Sequence, residues 1–208
     1  MRPIRAPQSE QDVRIDLAAA FRLAALAGWD DTVYTHLSAA VPGGAGVYLI
    51  NEFGLGFDEI TASGLAKVDV HGNVVDGSHR RVNPTGFAIH GAVHAARPDV
   101  VCVIHLHAPW GVALSMLPEG LLPTSQWAMR LHGRLGRHAY EGLALGGAQQ
   151  ARLAKNLGSL DGLILENHRT LTVGRTVAEA FMLMYFLERA AQAQLRSMAA
   201  IGGCVPLV

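Results

Sequence analysis

The apolar run Val100–Leu106, near the middle of the chain, limits the possible folds more than any other segment. It is rich in β-branched residues, which favour a pleated strand, and its length suits a strand buried inside a sheet. The apolar stretch that continues to Leu117 is interrupted by His105, His107 and Pro109. A membrane-spanning helix needs about 20 consecutive apolar residues. The run therefore predicts a buried strand and no membrane span.

Segments with helical and strand periodicity surround this run. Apolar residues recur every three or four positions in Glu10–Leu26, Phe87–Ala96 and Thr176–Met198, which predicts helices that face a core. Short apolar runs between turn residues predict further strands, among them Tyr34–Ala40 and Gly162–Leu165. The alternation lacks the regular spacing of a doubly wound sheet. We expect an α/β fold in one domain, residues 10–208, preceded by a flexible arm, residues 1–9.

Composition narrows the class of protein. Of 208 residues half are apolar and 16% are charged, which excludes a disordered chain. The 17 basic residues balance the 17 acidic ones, so no electrostatic footprint for nucleic acid or an anionic membrane is present. The first residues lack the apolar core of a signal peptide, and the two cysteines are far apart, as in a reducing compartment. We expect a soluble, cytoplasmic protein.

Two histidines end the central run. His105 and His107 are two residues apart, so in a strand they project from the same face about 7 Å apart, within reach of one metal ion. They could equally be satisfied by backbone carbonyls where the strand leaves the core. His168 follows the strand Leu163–Leu165 in a similar position. Three imidazoles with a vacant fourth position are the ligand set of a catalytic zinc site.

Several segments, taken in order, resemble the class II aldolase/adducin family over nearly the whole chain, with variants most similar to its adducin-type bacterial branch. The matching segments are Thr35–Ala39, Leu49–Leu55, Glu59–Ser63, Asn83–Phe87, Ala95–Val100, His105–His107, Asn167–His168 and Val173–Phe181. The resemblance implies a three-layer α/β/α fold with a mostly antiparallel central sheet and a homotetramer. It also implies that His105, His107 and His168 bind Zn²⁺, or another divalent transition metal, for retro-aldol cleavage.

The chain departs from the family pattern at the acid/base position and in the phosphate pocket. Four residues before His90, where the aldolases carry a glutamate, this chain has Gly86. His36 stands where they have a small polar asparagine, and Phe53 where they have a hydroxyl residue, so that Thr85 is the hydroxyl that remains. A phosphate dianion needs several directed donors. We therefore expect a small non-phosphorylated substrate.

Four other residues are candidates for the site. Glu166 lies two residues before His168, on the same strand face if the strand stays regular, and could replace the missing acid/base. His36 and Gln126, with Thr85, are candidates for substrate contacts. Two functions stay open: a metal-dependent lyase that acts by aldol cleavage or decarboxylation on a hydroxy-carbonyl or hydroxy-acid compound, and a non-catalytic adducin-like binding or assembly module.

Overall fold

The structure, a computed structural model, describes residues 9–142 and 146–201, apart from the side chains of residues 84, 85 and 201. Residues 1–8 of the predicted arm lie outside this description. The helices within it are α1 (Glu10–Leu26), α2 (Pro84–Ala96), α3 (Pro109–Ser115), α4 (Gln126–Met129), α5 (Gly147–Leu157) and α6 (Val177–Ile201). The strands are β1 (His36–Ala40), β2 (Tyr48–Ile50), β3 (Ala66–Val68), β4 (Cys102–Leu106), β5 (Leu135–His138), β6 (Gly162–Leu165) and β7 (Arg169–Gly174).

The strands form one sheet in the order β3-β2-β1-β4-β7-β6-β5. The pairs from β3 to β6 are antiparallel, whereas β5 and β6 run parallel. The sheet is therefore mixed, which corrects the expectation of a mostly antiparallel sheet. The predicted α/β class is confirmed. The central run forms β4, which lies between β1 and β7.

Successive residues of β4 pack into two different apolar clusters. Cys102, Ile104 and Leu106 belong to a cluster with residues of α1 and α6, whereas Val103 packs with residues of α2 and α5. This alternation follows from the pleat, because neighbouring side chains of a strand point to opposite faces. His105 falls on the same face as Val103, towards α2.

Local signals set the ends of the helices. The side chain of Ser9 accepts a hydrogen bond from the backbone N–H of Asp12, and the Asp12 carboxylate accepts one from the N–H of Ser9. This capping box begins α1, and Gly28, with a φ of 69°, follows its end. None of the helices in the described ranges is both long enough and apolar enough to span a membrane.

A buried carboxylate joins α6 to α3. Glu188 of α6 accepts hydrogen bonds from the backbone N–H groups of Gly111 at 2.5 Å and Trp110 at 3.3 Å, in the first turn of α3. These N–H groups would otherwise lack partners. Burial raises the pKa of Glu188 to about 7, although the two backbone hydrogen bonds act to lower it. This contact fixes the first turn of α3, which begins two residues after His107.

Candidate metal centre

The three predicted histidines lie together at one end of the central strands β4 and β7. His105 belongs to β4, His107 follows it, and His168 precedes β7, which pairs with β4. The ring centroid of His168 lies 5.7 Å from that of His105 and 5.7 Å from that of His107. In the turn that carries His168, the N–H of Asn167 donates to the Ser115 carbonyl and that of His168 to the Ser115 hydroxyl. The geometry therefore groups side chains that are 61 residues apart in sequence.

Two of the imidazoles present buried nitrogen atoms without partners. Nε2 of His105 and Nε2 of His107 are buried and make no hydrogen bond. Nδ1 of His107 donates to the carboxylate of Asp31, so Nε2 of that ring carries the lone pair. A carboxylate behind a histidine in this way orients the ring and makes it a better metal ligand. Buried polar atoms are normally satisfied, so these two nitrogens indicate a site for an additional group.

The imidazole of His168, the third candidate ligand, is bonded to Arg169. Nε of Arg169 lies 2.6 Å from Nε2 of His168 and donates to it, while Nη1 donates to the carbonyl of Tyr34 at 3.3 Å. The lone pair that His168 would offer to a metal is therefore taken. No three His, Cys, Asp or Glu side chains in residues 9–142 and 146–201 are grouped closely enough to hold a metal ion.

The residues nevertheless fit a divalent transition metal in their chemistry. The ligands would be His105, His107 and, once the guanidinium of Arg169 turns away, His168. Burial lowers the pKa of all three imidazoles, to about 3 for His168, and the nearby charge of Arg169 lowers them further. Neutral imidazole is the form that binds metal.

A cavity of about 130 Å³ adjoins the three histidines, and it is also lined by Tyr34, His36, Asn83, Gly86 and Arg169. His36 of β1 lies directly opposite His105 in the β1–β4 register. Its Nδ1 lies 3.1 Å from Oδ1 of Asn51, and its Nε2 lies 3.3 Å from Nδ2 of Asn83. Because an amide oxygen only accepts, Nδ1 carries the proton and Nε2 is the acceptor. Burial lowers the pKa of His36 to about 4, against the opposing effect of Asn51.

His36 and Gly86 fit together sterically. A Cβ atom on Gly86 would lie 2.1 Å from Cδ2 and 2.2 Å from Nε2 of His36. Contacts this short are impossible, so the ring occupies the space that any side chain at position 86 would need. The two departures from the family pattern at these positions are thus one structural exchange, in which an imidazole from β1 takes the place of a side chain from α2.

The other predicted site residues have different positions. Glu166 forms an ion pair with Arg137 at 2.9 Å and lines a neighbouring pocket with His138 and His168, not the cavity beside the three histidines. Gln126 is exposed at the start of α4 and does not line that cavity either. The side chain of Thr85 lies outside the described residues. His36 thus lines the same cavity as the metal-ligand candidates, whereas Glu166 and Gln126 do not line it.

Two functional candidates were missed from the sequence. Asp31 reaches His107 over 76 positions, and no local pattern announces such a contact. Arg169 directly follows His168, and a cation next to a candidate metal ligand in the sequence could have pointed to a contact between the two side chains. His90 and His94, expected to pack behind the site, share the hydroxyl of Ser38 at 2.7 and 2.9 Å.

The fold is that of a class II aldolase-type domain, and comparison with known proteins gives the family. The chain belongs to the class II aldolase/adducin family: residues 15–195 match the family described as Class II Aldolase and Adducin N-terminal domain. This confirms the resemblance seen in the sequence motifs.

Three relatives show the range of proteins to which the chain is similar. A candidate class 2 aldolase of Caulobacter vibrioides is 49% identical over 191 residues, which are 92% of this chain and 74% of that protein. Alpha-adducin of Rattus norvegicus is 40% identical over 199 residues, 94% of this chain but 27% of that protein. The structure of L-fuculose 1-phosphate aldolase from Glaciozyma antarctica PI12 superposes with a TM-score of 0.86 and 34% identity, covering 96% of this chain and 78% of that one.

Proposed function

We propose that this protein is a metal-dependent carbon–carbon lyase that acts by aldol cleavage or decarboxylation on a small, non-phosphorylated hydroxy-carbonyl or hydroxy-acid substrate. The observation that carries the proposal is the pair of buried, unpartnered Nε2 atoms of His105 and His107 beside His168. The metal would be Zn²⁺ or another divalent transition metal, since imidazole suits several of them. Once bound, it would supply a Lewis acid next to the cavity.

His36 is the proposed proton acceptor. It lines the cavity, its Nε2 is the acceptor nitrogen, and it fills the space of the side chain missing at Gly86. Glu166, the alternative, would have to leave Arg137 and reach across from the neighbouring pocket. If His36 has this role, His36→Gln lowers kcat by about 10² or more, whereas Glu166→Gln leaves it nearly unchanged. The opposite pattern would assign proton transfer to Glu166.

The first test is metal content. We expect about one metal ion per subunit by elemental analysis, and loss of the metal in His105→Ala and in His168→Ala. His71, an exposed histidine in a turn, provides the matched control, because His71→Ala removes an imidazole away from the site. Protein that is purified without metal and takes up no added Zn²⁺ or Co²⁺ would refute the proposal.

The second test is turnover of a panel of hydroxy-carbonyl and hydroxy-acid compounds, measured as formation of a new aldehyde or ketone for aldol cleavage and as release of CO₂ for decarboxylation. Activity that requires the metal supports the lyase. Protein that holds metal and converts none of the panel favours the second candidate function, an adducin-like binding or assembly module. That alternative draws on the 40% identity to alpha-adducin and on the missing carboxylate at Gly86.

The assembly and location follow the family expectation. We infer a homotetramer in the cytoplasm, with Cys102 buried and unpaired as in a reducing compartment. Sedimentation velocity at micromolar concentration tests the assembly, and a stable monomer of 22.1 kDa would contradict it.

A further inference from the structure

The guanidinium of Arg169 is a half-buried cation without an acidic partner in contact. Its Nε and Nη1 atoms bond to neutral groups, namely the ring of His168 and the carbonyl of Tyr34. Its Nη2 makes no hydrogen bond or ion pair within the described residues. Asp31 acts on Arg169 only through space, and its carboxylate is already bonded to His107. A guanidinium stays protonated at neutral pH.

The cavity that Arg169 lines has a surplus of positive charge. Arg169 is the one permanently charged side chain among its described lining residues, and none of these residues is acidic. A buried charge is costly unless a partner of opposite charge meets it. The missing partner is therefore an anion that enters the cavity, and a guanidinium recognises a carboxylate through parallel N–H donors.

Next to this donor, the cavity offers an acceptor. Nε2 of His107 carries a lone pair, since Nδ1 holds the proton that is donated to Asp31, and this Nε2 has no partner. A cationic donor beside an unpartnered acceptor complements a carboxylate next to a hydroxyl group. The volume of about 130 Å³ limits the ligand to a few carbon atoms. A phosphate dianion would need several further donors, and Arg169 is the one cation among the described lining residues.

We propose that Arg169 recognises the carboxylate of a small 2-hydroxy acid, whose hydroxyl group lies towards Nε2 of His107 and would meet this nitrogen directly in the metal-free protein, or through the metal where one is bound. This inference rests on the proposed function for the reaction that the protein catalyses. Beyond that, it narrows the substrate class of the same site. Binding of the acid itself is independent of turnover.

The test is isothermal titration calorimetry on the full-length purified protein with four probes: glycolate, its neutral amide glycolamide, acetate and inorganic phosphate. We expect glycolate to bind most tightly, glycolamide to bind at least about tenfold more weakly for loss of the charged pair, and acetate more weakly for loss of the hydroxyl group. This ranking needs no variant, so it holds even if a substitution disturbs folding.

Variants then assign the effect to one residue. Arg169→Gln should weaken glycolate binding by about tenfold or more, and Arg169→Lys, which keeps the charge but loses the planar fork, by less. Arg134→Gln is the control, because Arg134 also donates to a backbone carbonyl but is already paired with Asp161 and does not line the cavity, and this variant should bind glycolate as the wild type does. Equal binding of glycolate and glycolamide, full binding by Arg169→Gln, or no binding of glycolate would overturn the proposal. Phosphate binding tighter than that of glycolate would replace it by a phosphate site.

These outcomes separate the two proposals. Glycolate binding that depends on Arg169 in a protein without metal or turnover would uphold the acid site and refute the lyase. Metal-dependent turnover with no preference for carboxylates would do the reverse.

Discussion

Replacement of Gly86 by alanine tests the exchange between His36 and position 86. The new methyl group would lie 2.1 Å from Cδ2 of His36, so the ring must leave its place against Asn51 and Asn83. The enlarged side chain costs about 1–3 kcal/mol in a well-packed site, and the lost hydrogen bond adds about 1 kcal/mol. Alanine in a helix recovers about 1 kcal/mol relative to glycine. The net loss in the free energy of unfolding is about 1–3 kcal/mol.

Thermal and urea unfolding measure this loss. For a chain of this size the melting temperature should fall by about 2–4 °C for each kcal/mol. Gly147→Ala is the matched control, since Gly147 also lies in the first turn of a helix, α5, but a Cβ there meets no atom within 4 Å. The control variant should be as stable as the wild type, or more stable.

A double-mutant cycle isolates the contact. In a His36→Ala background the space is open, so Gly86→Ala should no longer destabilise the protein, and the coupling free energy, from which the helix-propensity gain cancels, should be about 2–4 kcal/mol. Additive effects of the two substitutions, or a Gly86→Ala variant as stable as Gly147→Ala, would refute the steric reasoning.

Three further predictions concern metal affinity, substrate and pH. Arg169→Gln frees Nε2 of His168 from a charge-assisted hydrogen bond worth about 1.5–3 kcal/mol, so Co²⁺ affinity, followed by absorption spectroscopy, should rise about 10- to 150-fold; unchanged affinity would show that the arginine does not compete with the metal. The unmodified protein should not cleave fuculose or ribulose phosphates in a coupled assay, and Gly86→Glu should not create this activity because His36 fills the space; efficient cleavage would contradict the non-phosphorylated substrate. Glu188 has a pKa of about 7 in the folded protein against an ordinary 4.5, so the folded state binds its proton more tightly and stability should fall as pH rises from about 4.5 to 7. Urea unfolding across this range should lose that slope in Glu188→Gln, and an identical slope would exclude Glu188 as its source.

Local sequence signals predicted the long elements well. The predicted helix Glu10–Leu26 is confirmed with the same bounds, because a capping serine and a stopping glycine flank a clear apolar period. Strand β5 was missed, since Leu135–His138 contains a glycine and an arginine and lies at the edge of the sheet. Its parallel pairing with β6 is what makes the sheet mixed, and no local pattern encodes it.

Strand alternation placed His105 and His107 on one face, but the rest of the site depends on contacts that are distant in sequence. Glu166 pairs with Arg137, which is 29 positions away in sequence, and strand alternation alone does not predict this contact. The roles of Asp31 and Arg169 likewise come from packing and not from spacing.

The order of strands β1, β4 and β7 at the centre of the sheet has a consequence for folding. His36, His105 and His168 meet only after these three strands pair, and the pairing closes long loops whose entropy must be overcome before any contact compensates for it. Partly folded chains therefore contain all the ligands but no binding site. Appearance of metal or glycolate affinity during refolding would show that the central strands have paired. Excess ligand would slow unfolding but would not speed the folding steps that come before this pairing.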